Sequence, residues 1–357
     1  MTFKKIVARI KGSKLKERIN FTRNLALIIK AGMSLPQGLA TLSAQTESPL
    51  LKEALAEIIT SVNKGKNFSE ALEPYPSLFN DFYVNMVKTG EIGGSLEEVL
   101  NNLAQHMEKE RTLRSRVLGA LMYPTIILSV MLIIIIVMMI FVVPQLSKVF
   151  RDFHVALPFT TQLVIEISDF FANHAIVAIS VIVLSIAIVW YFFLKTRVGG
   201  RIFAWISLKA PLINIMVKKI NSARIARTLQ GLIQAGLGIV QSLDVTRGVL
   251  KNIYYKEALH VTREEVEKGK TLHEIFSRYP KLFAPLMVQL IAVGEETGSL
   301  DVVLDQLATS YEEDIDTATK NLPSIIEPIL MLLIGSGVGF FAVSMLQPIY
   351  SITNSIK

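Results

Sequence analysis

Residues 90–96, Gly-Glu-Ile-Gly-Gly-Ser-Leu, return at residues 294–300 as Gly-Glu-Glu-Thr-Gly-Ser-Leu, at an offset of 204 positions. The same offset aligns residues 21–104 with residues 225–308 without a gap, and 30 of the 84 aligned positions are identical. One fixed offset held over this length indicates an internal duplication. We therefore expect two copies of one domain in the chain.

Three apolar segments are long enough to cross a bilayer: residues 121–143, 175–194 and 325–346. About 20 helical residues span a hydrocarbon core of about 30 Å. The chain is 51% hydrophobic and only 19% charged, with a mean hydropathy of +0.45, whereas soluble proteins are about 25% charged. The sequence therefore predicts an all-α integral membrane protein with three transmembrane helices.

The distribution of basic residues orients these spans. Residues 1–120 carry 17 Lys and Arg against 12 Asp and Glu, and residues 195–322 carry 17 against 14. Residues 144–174 carry two basic and three acidic residues. Because Lys and Arg are enriched in cytoplasmic loops, we expect the N-terminus and residues 195–322 in the cytoplasm. The loop 144–174 and the tail 347–357 then lie outside the membrane.

The net charge of +7 is explained by this cytoplasmic bias, so nucleic-acid binding is not expected. The basic segment 1–19 lacks the apolar core of a cleavable signal. Two interpretations of that segment stay open: a solvated tail, or a helix that lies on the membrane surface.

Each copy of the domain, residues 20–118 and residues 195–322, is predicted to form a cytoplasmic bundle of about six short helices. Apolar residues recur at helical spacing, and capping residues stand three positions before Glu or Gln. These predicted helix starts are Ser34–Gln37, Asn67–Glu70, Ser95–Glu98 and Thr271–Glu274. Glycines that suit helix ends, where φ is often positive, stand at positions 32, 90, 236 and 294.

Several classes of chemistry are excluded or disfavoured. Without cysteine there is no disulfide framework, thiolate zinc site, iron–sulfur cluster or cysteine nucleophile. Gly269-Lys270-Thr271 resembles the end of a phosphate-binding loop, which also requires an upstream glycine. Glu265 stands in that upstream stretch, so we interpret the segment as a turn that enters a helix. The five histidines lack metal-ligand spacing. We expect no catalytic residue, no cofactor and no metal.

The motif Gly-Glu-x-x-Gly-Ser is the first candidate functional site, because both copies retain it. Its residues are Gly90, Glu91, Gly94 and Ser95 in one copy and Gly294, Glu295, Gly298 and Ser299 in the other. One interpretation is an interhelical turn with a good cap, for which Glu→Gln should cost little stability. The other is a carboxylate available to a basic group of a partner. The sequence leaves both open.

Glu327 and Pro328 form the second candidate, inside the third apolar segment. Pro328 matches Pro124 in the first copy, where Tyr123 replaces the glutamate. A carboxylate at the edge of a span can reach the lipid headgroups, whereas one inside the bilayer usually faces other protein. We therefore expect either a headgroup contact or an interhelical role for Glu327.

Longer stretches carry a family resemblance. They are Tyr75-Pro-Ser-Leu-Phe79, the run from Met86 to Leu100, Ala120-Leu-Met-Tyr-Pro124 and Phe141-Val-Val-Pro144. They resemble the type II secretion system F family (GspF/PilC), the inner-membrane platform proteins of type II secretion and type IV pilus assembly. The resemblance covers about residues 20–350. Many members carry a further segment before the first bundle, whereas here a basic segment of about 20 residues precedes it.

The resemblance implies a non-enzymatic assembly platform in the inner membrane. Its implied partners are a cytoplasmic assembly ATPase, pilin or pseudopilin subunits, other inner-membrane assembly proteins and further copies of the chain. A small oligomeric membrane transporter or channel is the alternative, and a membrane-bound enzyme is a third interpretation. A transporter normally has polar residues at mid-membrane or broken spans. The first two segments instead carry isolated serines, Ser129, Ser180 and Ser185.

Overall fold

The computed structural model describes residues 3–152, 157–211 and 213–355, and these residues form helices and turns without a strand. The expected all-helical fold is therefore confirmed. The chain divides into two compact units. Unit 1 joins Met1–Ser115 with Phe203–Asp316, and unit 2 joins Arg116–Ile202 with Thr317–Lys357.

The first copy of the repeat contains six helices. They are α1 (Phe3–Lys30), α2 (Leu35–Gln45), α3 (Pro49–Asn63), α4 (Phe68–Leu72), α5 (Asp81–Gly93) and α6 (Leu96–Ala120). The predicted basic segment 1–19 thus forms, from residue 3 onward, the start of α1. The side chains of residues 1–14 lie outside the described part, so the choice between a solvated and a membrane-surface segment stays a prediction.

The segment between the two bundles is also helical. It contains α7 (Met122–Val137), a π-helical turn (Met138–Val142), α8 (Val143–Asp152), α9 (Phe159–Asn173), α10 (Ala175–Lys195) and α11 (Arg197–Lys209). The stretch predicted as the outer loop 144–174 therefore consists mainly of α8 and α9, on which Val143, Phe150, Val164 and Ile165 share a small apolar core with Met345.

The second copy repeats the six-helix order. Its helices are α12 (Ile213–Gln234), α13 (Ile239–Val249), α14 (Ile253–Glu267), α15 (Leu272–Phe276), α16 (Pro285–Thr297) and α17 (Leu300–Ser355). The two bundles bury equivalent residues, each 0% exposed, at the centres of their cores. These pairs are Leu25 and Leu229, Leu55 and Leu259, Leu72 and Phe276, Val87 and Ile291, and Leu100 and Leu304.

Within the part of the chain that the structure describes, two helical runs, Leu96–Asp152 and Leu300–Pro348, are long and apolar enough to cross a membrane, and they contain the predicted spans 121–143 and 325–346. The predicted span 175–194 coincides with α10. Val198–Lys209 and Ile213–Gln234, which meet at a bend of 109°, pass the same test if taken as one span. However, α12 buries Ile225 and Leu229 in the core of the second bundle, which is inconsistent with a lipid environment.

Pro144 lies just after the π-helical turn. A proline has no N–H and cannot donate the helical hydrogen bond to an earlier carbonyl. In a π-helical turn that acceptor lies five residues back, at Met139. The hydroxyl of Ser168 on α9 donates to the Met139 carbonyl at 2.7 Å. A side chain thus replaces the missing backbone donor.

The equivalent proline of the second copy, Pro348, lies inside α17. It leaves the carbonyl of Ser344, four residues earlier, without its backbone donor. The buried hydroxyl of Thr161, also on α9, donates to this carbonyl. Within unit 2, α9 therefore satisfies the backbone at both copies of the repeated proline, as apolar surroundings require.

Candidate functional site

The carboxylate of Glu91 caps the short helix α4 from a distant point in the chain. Its Oε1 accepts the backbone N–H of Phe68, and its Oε2 accepts the N–H of Ser69 at 2.9 Å and the Ser69 hydroxyl at 2.6 Å. The first amides of a helix have no partner within the helix and carry its positive dipole end. A carboxylate accepts hydrogen bonds from these amides, and its negative charge is favourable beside the positive end of the dipole. Glu91 therefore links α5 to α4.

Glu295 makes the same arrangement in the second copy. Its two oxygens accept the backbone N–H groups of Leu272 and His273 at the start of α15, the latter at 3.0 Å. The His273 Nδ1 lies 3.0 Å from Oε2 and takes the place of the Ser69 hydroxyl. Both carboxylates are therefore engaged within their own bundle. This geometry favours the structural interpretation of the motif, and a partner contact stays a prediction.

The glycines of the motif have two different roles. Gly94 and Gly298 end α5 and α16 with φ of +68° and +67°. Gly90 and Gly294 were predicted as helix ends, and that prediction was wrong, because both lie inside helices. A Cβ on Gly90 would approach Val99 to 3.0 Å, so this glycine allows α5 and α6 to pack closely. Gly32 and Gly236, with φ of +85° and +90°, do follow helix ends.

Helices α2, α4, α6 and α15 begin where the capping patterns predicted, but the expected side-chain caps are absent at Ser34, Asn67 and Thr271. In α4 and α15, Glu91 and Glu295 instead accept the N–H groups of the first two helical residues, so a distant carboxylate caps each of these helices. In α2, a proline in the first turn removes one of the donors.

The two copies meet inside unit 1 through α5 of the first and α12 and α13 of the second. Phe82 lies over Gly231, where an added Cβ would be 3.7 Å from its ring. Leu232 and Val245 belong to the apolar core of the first bundle. The Gln241 amide donates to Asn85 Oδ1 at 2.9 Å beside these contacts. The absence of a side chain at Gly231 makes room for the aromatic ring.

Arg227 on α12 is the most highly connected polar residue near this junction. It is 7% exposed. Its Nε and Nη2 bind both oxygens of Glu312 at 2.9 and 3.1 Å, Nη2 also reaches Thr309 at 3.1 Å, and Nη1 binds Asp305. Burial acts to lower the pKa of Arg227, but the bonds to Glu312 and Asp305 outweigh it and raise the pKa. The residue is a permanent cation that fixes α12 to α17.

His106 on α6 lies beside Phe82, with ring centroids 4.3 Å apart. It also lines a cavity of about 20 Å³ that Arg227 and Glu312 share, large enough for one water molecule. Burial lowers the pKa of His106 to about 4, from an ordinary value of 6.5. Smaller charge effects of both signs come from Glu110, Arg227, Glu312 and Lys109. The imidazole is therefore neutral at physiological pH.

This neutral histidine predicts a loss of stability in mild acid. As pH falls from 6.5 towards 4, the unfolded chain binds a proton that the folded chain resists, so folding stability declines over this window. Because His106 as a residue is partly exposed, we expect a loss of about 1–3 kcal/mol. Melting of the detergent-solubilised chain across this range should show a slope that His106→Gln flattens. The same slope in His106→Gln would contradict the prediction, and His260→Gln, at an exposed site, should leave it unchanged.

Sequence reasoning did not single out Arg227, and it considered His106 only as a metal ligand. Arg227 matches Arg23 in the repeat, yet Arg23 is largely exposed and lies 4.0 Å from Glu108. The duplicated arginine was the available signal, but no sequence pattern indicates which copy is buried.

The intramembrane candidates lie in unit 2 at equivalent helical positions. Pro124 is buried in α7, whereas Glu327 and Pro328 are exposed on α17. Because the Glu327 side chain is exposed, its expected contact with lipid headgroups or with another helix stays a prediction.

Gly269 forms a turn with φ of +90°, and Lys270 pairs with Glu265 before α15 begins. This is the turn into a helix that the sequence predicted. No cluster of three metal-ligating side chains occurs among the described residues, and His154 lies outside them.

Comparison with known proteins places these features in a family. The chain matches the family described as type II secretion system (T2SS), protein F, twice, at residues 21–144 and 225–348. Each match covers one bundle and the apolar span that follows it, so the duplicated unit includes both.

Two pilus assembly proteins are similar along nearly the whole chain. The type IV pilus assembly protein PilC of Thermus thermophilus is 32% identical over 99% of this chain and 86% of its own length. That of Myxococcus xanthus is 33% identical over 96% and 82%. The type II secretion system protein F of Xanthomonas campestris is 31% identical over 95% and 83%. The chain belongs to the type II secretion system protein F family, the non-enzymatic platform proteins of type IV pilus and type II secretion assembly.

Proposed function

We propose that this chain couples a cytoplasmic assembly ATPase to the polymerisation of pilin or pseudopilin subunits in the inner membrane. The observation that carries the proposal is the duplicated bundle-and-span unit, which matches the family in both copies. The two bundles of unit 1 supply a broad cytoplasmic surface, and the work of assembly comes from the ATPase partner. Other inner-membrane assembly proteins and further copies of the chain complete the machine.

A transporter or channel is less well supported by unit 2. Its cavity of about 510 Å³ between α7, α9 and α17 is lined by apolar side chains and one glycine, among them Met131, Ile134, Val164, Gly337 and Phe341. A solute path needs polar groups at membrane depth. This cavity offers an apolar surface instead, which suits lipid or another helix.

Topology is the first expectation of this proposal. With the N-terminus in the cytoplasm, reporter fusions after Thr160 and at the C-terminus should be active outside the membrane. A fusion after Leu250 should be active only in the cytoplasm, because the charge bias of residues 195–322 holds that bundle inside. External activity at Leu250 would overturn this arrangement, and it would also exclude contact between the second bundle and a cytoplasmic ATPase.

The function itself is tested by deletion and co-purification. A strain without this chain should lose its surface filaments or secretion, and the full-length chain supplied from a plasmid should restore them. The tagged chain, solubilised in detergent, should retain the assembly ATPase of the same cell, whereas an unrelated three-span membrane protein should not. Normal filaments and normal secretion in the deletion strain would refute the proposal. Solute flux through vesicles that contain the pure chain would favour the channel alternative.

A further inference from the structure

The contact between the two bundles is not symmetric, because each bundle uses a different face. The first bundle contributes the α5 face that carries Phe82, and the second contributes its α12–α13 face around Gly231 and Leu232. Since the bundles are copies of one domain, each also carries the equivalent of the face that its neighbour uses. One α5-like face and one α12–α13-like face therefore remain without a bundle against them.

The first of these is the α16 face, defined by Leu286, Gln289 and Val293. Leu286 is equivalent to Phe82 and is 60% exposed, whereas Phe82 is 3% exposed. Val293 is 49% exposed. Among the described residues of unit 1, these side chains are left largely uncovered, although Leu286 and Gln289 occupy the positions of Phe82 and Asn85, which contact the neighbouring bundle in the first copy.

The second is the α1–α2 face, defined by Leu27, Ile28, Met33 and Gln37. Leu27, equivalent to Gly231, is 58% exposed, and Met33 is 41% exposed. Ile28 is only partly buried, whereas its equivalent, Leu232, is fully buried. This face is therefore the uncovered counterpart of the surface on which Phe82 rests.

We infer that the α16 face of one chain binds the α1–α2 face of a second copy, and that this contact repeats between chains the junction found within each chain. The side chains on both faces are apolar. Leu286 and Leu27 take the places of Phe82 and Gly231, so two medium side chains replace one large side chain and a glycine. The helices must therefore lie somewhat farther apart in the contact between chains than in the junction within a chain.

The polar contacts are also reproduced. Asn85 and Gln241 form a hydrogen bond within the chain. Their equivalents are Gln289 and Gln37, whose amide side chains can form the same bond between chains. Close to this face, Arg23 and Arg111 both lie within ion-pair distance of Glu108, at 4.0 and 3.1 Å.

One pair of charged residues differs between the junction within a chain and the contact between chains, and this difference lowers the affinity between chains. Lys109 lies 3.9 Å from Glu312 at the junction within the chain, and the equivalent pair between chains is Glu313 and Glu108. The two arginines beside Glu108 offset this repulsion only in part. The contact between chains should therefore be weaker than the junction within a chain, and moderate salt should strengthen it.

A contact between two different faces is heterologous. Each added copy leaves one α16 face and one α1–α2 face open, so association continues until the copies close a ring or extend as a chain. This inference requires neither the ATPase nor a pilin, and its test is therefore separate from that of the proposed function.

The absence of cysteine from the chain allows a direct test with a short bifunctional thiol reagent in native membranes. Two differently tagged full-length variants, Gln37→Cys and Gln289→Cys, should crosslink to each other when they are co-produced, and neither should crosslink when produced alone. Asn85→Cys combined with Gln241→Cys in one chain is the matched control, which should crosslink within the chain. No mixed product while this control reacts would overturn the inference, as would efficient crosslinking of either variant to itself.

A second set of variants tests the same two faces by charge. In the co-production assay, Leu286→Glu or Leu27→Lys should reduce the mixed crosslink about tenfold or more, because each places an unpaired charge in an apolar contact. When one chain carries Leu286→Glu and the other carries Leu27→Lys, most of the mixed crosslink should return. Leu50→Lys, at a side chain that is 45% exposed outside both faces, should have no effect. An unchanged crosslink in both single variants would contradict the assignment of these faces.

Discussion

Replacing Arg227 by methionine is expected to lower the free energy of unfolding by about 2–4 kcal/mol, since breaking a buried ion pair leaves an uncompensated charge. Arg227 holds both oxygens of Glu312 and also binds Asp305 and Thr309. Among the described residues, Lys109, at 3.9 Å, is the basic group that Glu312 would keep. For a unit of this size, the loss corresponds to a fall of about 5–10 °C in melting temperature, which can be measured on the detergent-solubilised chain.

The duplication provides a matched control for this substitution. Arg23→Met removes the equivalent arginine from the first bundle, but its side chain is 48% exposed, and an exposed pair contributes about 0–1 kcal/mol. The double variant Arg227→Met with Glu312→Leu should recover much of the lost stability, because the unpaired carboxylate is then also removed. Equal effects of Arg23→Met and Arg227→Met would show that burial at the junction is not the cause.

Replacement of Arg227 by lysine should give an intermediate loss. Lysine keeps the charge but cannot present the planar pair of donors that binds both oxygens of Glu312. If Arg227→Lys were as stable as the native chain, charge alone would account for the contribution of this residue.

The duplication, the helical class and the apolar spans were predictable because each depends on a signal that is local or repeated in the sequence. A fixed offset identifies the two copies, and 20 or more apolar residues identify a span. The helical continuation through α8 was not predicted, since hydropathy falls after Val143 and α8 is amphipathic. Its apolar residues Val143 and Phe150 pack with α9, a contact that hydropathy does not report.

The internal roles of the repeated motif were beyond sequence reasoning for two reasons. The amides that Glu91 caps lie 22 and 23 positions earlier in the chain, and no local pattern links them. The motif also contains glycines at two relevant positions, and only the packing of α5 on α6 determines that Gly94, rather than Gly90, takes the left-handed conformation. Likewise, Arg23 and Arg227 are identical in type and differ only because the bundles meet through different faces.

The geometry changes one expectation drawn from the sequence. If the motif were a simple interhelical turn, Glu→Gln would hardly change the stability of the fold. Glu295 instead uses both carboxylate oxygens, for the N–H groups of Leu272 and His273, and glutamine offers only one acceptor oxygen. A purely structural role now predicts a measurable loss of stability for Glu295→Gln, so stability alone can no longer separate a turn from a partner contact.

Glu295→Ala is therefore expected to cost about 2–3 kcal/mol, because two first-turn amides lose a charged acceptor. Glu295→Gln should cost about 1–2 kcal/mol, from the lost charge at the helix start and the lost second acceptor. Hydrogen exchange should locate the effect, with faster exchange at Leu272 and His273. The neighbouring exposed Glu296, changed to glutamine, should alter melting by less than about 0.5 kcal/mol.

The same variants separate the cap from a contact with the ATPase. If Glu295 acts only within its bundle, ATPase binding should fall in Glu295→Gln no further than the loss of folded protein explains. At a temperature well below melting it should then be unchanged. If the carboxylate also pairs with a basic group of the partner, binding should weaken by about 30-fold or more while the chain stays folded. Because the carboxylate is already held by α15, we expect the first result, with faster exchange at α15 and native affinity for the ATPase.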